Sequence, residues 1–281
     1  MTTIDMEVEY NNRARVPEHP AIFEAWQEDA ETYREGQENA VFDQPYGPAP
    51  RNTYDLFPAS SEPRQPLLAL FIHGGYWQSL DKSAFSHMAR GLNAHGFDVA
   101  AANYSLCPAV AVTDIIAEMQ DLADHLYNTF GKPLLVYGHS AGGHLTAALM
   151  ATDWTERGLP ADLVAAAMPI SGVFELEPLV ETSINKAIGM TAETARDASP
   201  ILWPQPKSGH FCAVVGGSES GEFLRQSRML VDTWTGPDLA GTLNIQEGAD
   251  HFTVLNPLAD PQSELVTVLC ALALAASPGV A

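Results

Sequence analysis

Gly138-His139-Ser140-Ala141-Gly142 has the form Gly-x-Ser-x-Gly. It follows a short apolar run, Leu134 to Tyr137, and leads into a segment from Gly142 to Ala151 that reads as a helix. A serine on a tight turn between strand and helix is presented for nucleophilic attack. The flanking glycines are required because a Cβ there would collide with the neighbouring backbone. The helix N-terminus adds a field that favours negative charge. A bland glycine-rich turn would not need this strand–turn–helix context. A hydroxyl is nonetheless a weak nucleophile until a base takes its proton, so the motif calls for a histidine and a carboxylate to orient it.

In hydrolases built on this turn the chain order is serine, acid, histidine. The sequence has nine histidines. His73, His139 and His144 lie in or beside glycine-rich turns, His87, His95 and His125 fall in helical stretches before the serine, His19 is N-terminal, and His210 opens a strand. His251 alone falls in a loop between the last expected strand and the last expected helix, which makes it the candidate base. No histidine pair has the close helical spacing of a zinc site, and no metal or organic cofactor is expected. The acid should follow the penultimate strand, where Val214-Val215-Gly216-Gly217-Ser218-Glu219 points to Glu219. Its rivals are Glu175 and Glu177 after the preceding strand, and Asp250 beside the histidine.

Ile72-His73-Gly74-Gly75-Tyr76-Trp77 ends an apolar run, and its paired glycines allow backbone N–H groups to converge on one point. The expected donors to a developing oxyanion are the N–H groups of Gly75, Tyr76 and Ala141; loss of one such donor costs ~10²–10³ in rate. The side chains of Tyr76 and Trp77 are open between substrate contacts and core packing.

The surrounding pattern must hold these groups in place. Apolar runs at Leu67–Ile72, Phe97–Ala102, Leu134–Tyr137, Leu163–Ile170, Phe211–Val215 and Leu243–Ile245 alternate with helical segments, the longest at 112–130. That rhythm predicts one α/β domain over residues 1–281, a mostly parallel sheet with helices on both faces. Residues 18–38 read as an amphipathic N-terminal helix, 43–66 as turns around edge strands, and about 174–199 as a small cap insertion over the C-terminal edge of the sheet. With 14 Lys and Arg against 35 Asp and Glu, the net charge is −21. Such a surface repels nucleic acid and anionic membranes. A small-molecule substrate is the expected partner, and assembly is open between monomer and homodimer. The acidic N-terminus lacks a signal-peptide pattern, and the apolar stretch 265–276 is too short for the roughly 20 residues of a membrane helix. Cys107, Cys212 and Cys270 are scattered and odd in number, as suits reduced thiols in a cytoplasmic protein.

HGGYW, GHSAGG, SGVFELEPL followed by TSIN, GGSESGEF with a nearby RQS, and DHF together resemble the kynurenine formamidase (arylformamidase) family. This is a hormone-sensitive-lipase-like branch of the α/β-hydrolase fold, and the resemblance runs from about Tyr10 to the end. It implies Ser140 as nucleophile, His251 as base, and Gly75 and Tyr76 at the oxyanion hole. The acid position, usually Asp, falls on Glu219. Phe174-Glu175 departs from the more usual Tyr-Asp, and the acidic side chain there reads as structural. The implied activity is cleavage of an N-formyl aryl amide, such as N-formylkynurenine, through a formyl-serine. The alternatives are a carboxylesterase on short acyl esters and a catalytically dead binding protein, the last opposed by the full residue set.

Overall fold

A computed structural model describes residues 4–277. The turn-rich stretch supplies two edge strands, β1 (Val41–Pro45) and β2 (Thr53–Phe57), and the six apolar runs become β3 (Leu68–Ile72), β4 (Val99–Ala102), β5 (Leu134–His139), β6 (Val164–Ile170), β7 (Gly209–Gly216) and β8 (Leu239–Gln246). They form an eight-stranded sheet in the order β1-β2-β4-β3-β5-β6-β7-β8. The strands from β4 across to β8 pair in parallel, while β1 and β2 are antiparallel at one edge. This is the α/β-hydrolase architecture, with the sheet mostly parallel.

Burial on both faces explains the unbroken apolar runs. In β3, Leu68, Leu70 and Ile72 join the core on one side, and Ala69 and Phe71 the core on the other. β8 lies at the open edge, where Leu239 is its one buried residue and the rest are half-buried or exposed, so only its Leu243–Ile245 portion reads as apolar in the sequence.

The helices are α1 (Met6–Tyr10), α2 (Asn12–Arg15), α3 (His19–Glu35), α4 (Arg90–Asn93), α5 (Val112–Phe130), α6 (Ala141–Ala151), α7 (Asn185–Ile188), α8 (Ala192–Asp197), α9 (Gly221–Trp234) and α10 (Glu264–Ala276). α5, α6 and α9 cover the first face; α3, α4 and α10 cover the second. α5 owes its length to a regular apolar stripe (Ile115, Met119, Leu122, Leu126) and ends at Gly131, whose φ of 65° stops the helix. Among the described residues no single helix is long and apolar enough to cross a membrane.

The insertion after β6 is short and irregular. Ser199 Oγ closes it by accepting from Leu176 N–H (2.9 Å) and donating to the Ala195 carbonyl (2.6 Å). His144 on α6 docks it by donating from Nε2 to the Ala198 carbonyl (2.7 Å). Its apolar residues Phe174, Leu179 and Ile188 join the first core.

Candidate active site

Parallel strands deliver their C-terminal ends to one edge, where ligands bind in such folds. Ser140 follows β5, Ser171 follows β6, Glu219 follows β7 and His251 follows β8. Ser140 adopts φ 56° and ψ −115°, a strained conformation for a residue with a Cβ, held by its N–H bond to the Ile170 carbonyl (2.8 Å). Gly142 makes the turn possible, since a Cβ there would stand 2.0 Å from the Ile72 carbonyl oxygen.

Ser140 Oγ–H donates to His251 Nε2 over 3.1 Å, and His251 Nδ1–H donates to Glu219 Oε2 over 2.6 Å. The remaining carboxylate oxygen, Oε1, accepts from Ser171 Oγ (2.5 Å) and Gly216 N–H (2.7 Å). All three members of this relay are buried. The rival acids lie elsewhere: Glu175 pairs with Arg225 (2.9 Å), Glu177 with Arg196 (3.1 Å), and Asp250 Oδ1 accepts from the N–H groups of Phe252 (2.8 Å) and Thr253 (2.9 Å). A hydroxyl bonded to an imidazole, itself bonded to a carboxylate, is the arrangement that moves a proton off a nucleophile.

His139 packs its ring 4.7 Å from that of His251 and donates from Nε2 to the His251 carbonyl (2.7 Å). Burial, with the neighbouring His251 adding to it, drives the His139 pKa well below the ordinary histidine range. His139 is thus a neutral strut beneath His251.

Gly75, Tyr76 and Trp77 have φ of 112°, 48° and 55°, so the turn after β3 curls its N–H groups toward one side. A Cβ at Gly75 would meet the Ser79 carbonyl oxygen at 2.2 Å. Among the described residues no backbone acceptor takes the N–H of Gly75 or Tyr76. Ala141 N–H, at the first position of α6, has no acceptor within the helix. Arg51 braces this loop from behind, bonding the carbonyls of Leu80 (2.9 Å) and Tyr104 (2.8 Å) and Asn103 Oδ1 (3.1 Å).

Tyr76 and Trp77 part ways. Tyr76 lines the cavity above Ser140 and donates from its hydroxyl to the Tyr10 carbonyl (2.7 Å). Trp77, expected as a candidate substrate contact, is instead fully buried, edge-on to His144 with centroids 4.9 Å apart. Its positive φ turns the indole down into the first core, so it packs and does not touch the cavity.

The cavity holds about 350 Å³, near the lower end of the roughly 300–1,000 Å³ of small-molecule sites. Ser140, His251 and Gly75 line it. Its cover differs from expectation: Ile184 is the insertion's one contribution, whereas Tyr10, Asn11, Asn12, Arg13, Phe23 and Trp26 come from the N-terminal segment. That segment is strapped down by Tyr10, whose hydroxyl donates to Glu222 (2.9 Å) and accepts from Gln226 (3.0 Å). Sequence reasoning missed these residues and Ser171. The apolar positions Phe23 and Trp26 carry a visible signal, but it reads as a core-facing stripe.

A family model described as BD-FAE matches residues 55–232. The kynurenine formamidase of Danio rerio is 30% identical over 237 residues, covering 82% of this chain and 80% of that protein. The kynurenine formamidase of Salmo salar is 29% identical over 250 residues, covering 84% and 85%. A crystal structure from Silicibacter sp. tm1040, described provisionally as a thioesterase, superposes with a TM-score of 0.85 at 32% identity, covering 95% of this chain and all of that one. An esterase of Pyrobaculum calidifontis shares the fold, with a TM-score of 0.73 at 15% identity over 92% of this chain and 93% of its own. The likeness to the two kynurenine formamidases covers more than four fifths of the chain, and the protein belongs to the kynurenine formamidase family of α/β-hydrolase enzymes.

Proposed function

We propose that this enzyme is an arylformamidase that cleaves an N-formyl aryl amide of the N-formylkynurenine type into formate and the free aryl amine. The observation that carries this reading is the Ser140–His251–Glu219 relay at the floor of a small, aromatic-walled cavity. In this reading His251 Nε2 takes the proton of Ser140 as Oγ attacks the formyl carbon. The N–H groups of Gly75, Tyr76 and Ala141 receive the negative charge on the carbonyl oxygen. The imidazolium, stabilised by Glu219, then gives its proton to the departing nitrogen, because an amine leaves badly as an anion. The C–N bond breaks and a formyl ester on Ser140 remains. Water, deprotonated in turn by His251, attacks the ester and releases formate, returning the proton to Ser140. Likeness to the kynurenine formamidases of Danio rerio and Salmo salar supports the substrate class. Free Cys107, Cys212 and Cys270 support a reducing, cytoplasmic setting.

The test is a series of one aryl amine carrying formyl, acetyl or butyryl. Formate and amine should appear in equal amounts from the formyl compound, and Ser140→Ala should abolish both. Added carbons overpack a fixed site by ~1–3 kcal/mol, so kcat/KM should fall about tenfold to a hundredfold along the series. A flat or rising series on aryl esters would favour the second reading, a short-chain carboxylesterase, which the esterase-like fold supports.

A further inference from the structure

The cavity's charge inventory runs against that of the chain. Asp and Glu outnumber Lys and Arg by 35 to 14 overall, yet the cavity lining contains no Asp or Glu and a single Arg or Lys, Arg13. Arg13 is exposed and makes no ion pair among the described residues, whereas Arg34, Arg51, Lys82, Arg90 and Arg225 all pair with carboxylates. Its guanidinium carbon lies 5.8 Å from the centre of the Phe23 ring. Phe23 in turn meets Phe252 edge-on at 5.1 Å, and Phe252 lies 5.4 Å from His251. An aromatic wall thus leads from the base to an unpaired cation.

The mount of that cation is fixed. Asn11 caps α2 by accepting from Ala14 N–H (3.2 Å), and the residue before it, Tyr10, is bonded through its carbonyl to Tyr76 of the oxyanion turn. Arg13 therefore holds a set relation to the reacting centre. The field of a chain with net charge −21 repels an anionic substrate, and a local cation at the cavity offsets that repulsion where the substrate sits. A guanidinium offers parallel N–H donors matched to a carboxylate, which a neutral side chain does not.

We propose that Arg13 is a specificity residue that binds a carboxylate carried by the aryl amine half of the substrate, with the ring lying against Phe23 and Phe252. The inference rests on the arylformamidase reading and narrows its substrate class to aryl formamides with an anionic side chain.

The experiment compares two aryl formamides that differ only in a side-chain carboxylate or its primary carboxamide. Wild-type enzyme should prefer the carboxylate by about tenfold in kcat/KM, expressed in KM, as expected for binding shared by ground and transition states. Arg13→Gln should collapse that preference, Arg13→Lys should restore part of it, and Arg13→Glu should reverse it. Arg15→Gln, on the same helix but outside the cavity lining, should keep it. Equal turnover of both formamides by wild-type enzyme, or an undiminished preference in Arg13→Gln, would overturn the inference and leave the arylformamidase reading standing. No turnover of either formamide beside rapid cleavage of an aryl acetate would overturn both.

Discussion

Ser171 Oγ donates to Glu219 Oε1 over 2.5 Å, on the side of the carboxylate turned away from His251. With Gly216 N–H on the same oxygen, the carboxylate is clamped so that Oε2 alone meets the imidazole. Glu219→Gln keeps the shape but not the charge, and its amide favours the wrong tautomer of His251. The expected loss approaches ~10⁴ in kcat, by analogy with serine proteases. Ser171→Ala should cost far less, since the Gly216 bond survives. Glu175→Gln, Glu177→Gln and Asp250→Asn should be close to silent, because none of those carboxylates touches His251. Saturating turnover rates for the five variants decide the matter, and a collapse confined to one of the last three would reassign the acid.

Gly142→Ala tests the turn. The added Cβ would stand 2.0 Å from the Ile72 carbonyl oxygen and 2.8 Å from that of His73, both backbone atoms at the end of a central strand. Something must shift, and the expected cost is about 1–3 kcal/mol or more. A thermal melt should show the midpoint lowered by several degrees, with kcat reduced because β3 also carries the turn proposed to hold the oxyanion. An unchanged melting curve would contradict the tight packing of strand against turn.

Tyr76→Phe removes the hydroxyl that joins the turn after β3 to the Tyr10 carbonyl. Loss of a bond of this kind costs about 0.5–1.5 kcal/mol. Amide exchange should quicken in the strap, residues 10–26, and KM for the aryl substrate should rise several-fold. Exchange unaltered in those residues would mean that Tyr10 is held by Glu222 and Gln226 alone.

Acid should weaken the fold through buried imidazoles before it reaches the carboxylates. Burial lowers the pKa of His73, His87 and His144 to about 4 each. In the unfolded chain each would titrate near 6.5, so between about pH 6.5 and pH 4 the unfolded state binds more protons. Their stabilisation is complete above about pH 6.5 and is lost as pH falls toward 4, with a slope of about 1.4 kcal/mol per pH unit for each proton. The lowered carboxyls of Asp29 and Asp98 act only near and below about pH 4. Denaturant unfolding at several pH values should reveal this slope, and His144→Gln, which keeps a donor for the Ala198 carbonyl, should flatten it by about one proton. A stability independent of pH across that window would refute it.

How much of this was legible in the sequence differs from element to element. The strands β3, β5 and β6 announce themselves because both their faces are buried. Ser140, Glu219 and His251 announce themselves because each follows a strand that the alternation of elements makes countable. Ser171 also follows a strand, but a small hydroxyl carries no signal until its partner is known. Trp77 sits in a motif of otherwise functional residues, and only the sign of its φ reveals that its side chain turns away. The N-terminal segment was the least legible. Its apolar stripe at Ile22, Phe23 and Trp26 shows a helix with a buried face, but whether that face meets core or cavity depends on contacts across the whole chain.

Those contacts bear on how the enzyme is made. Tyr10 is synthesised well before its anchors, since Glu222 lies 212 positions later and Gln226 lies 216 positions later. At roughly 5–20 residues per second of synthesis, the strap waits about 10–40 s before its anchor exists. Ser140 likewise is made well before His251, its hydrogen-bond partner. The strap over the cavity is thus translated before the central strands and put in place after them, so the cavity cannot be enclosed until the helix that carries Glu222 and Gln226 has been made.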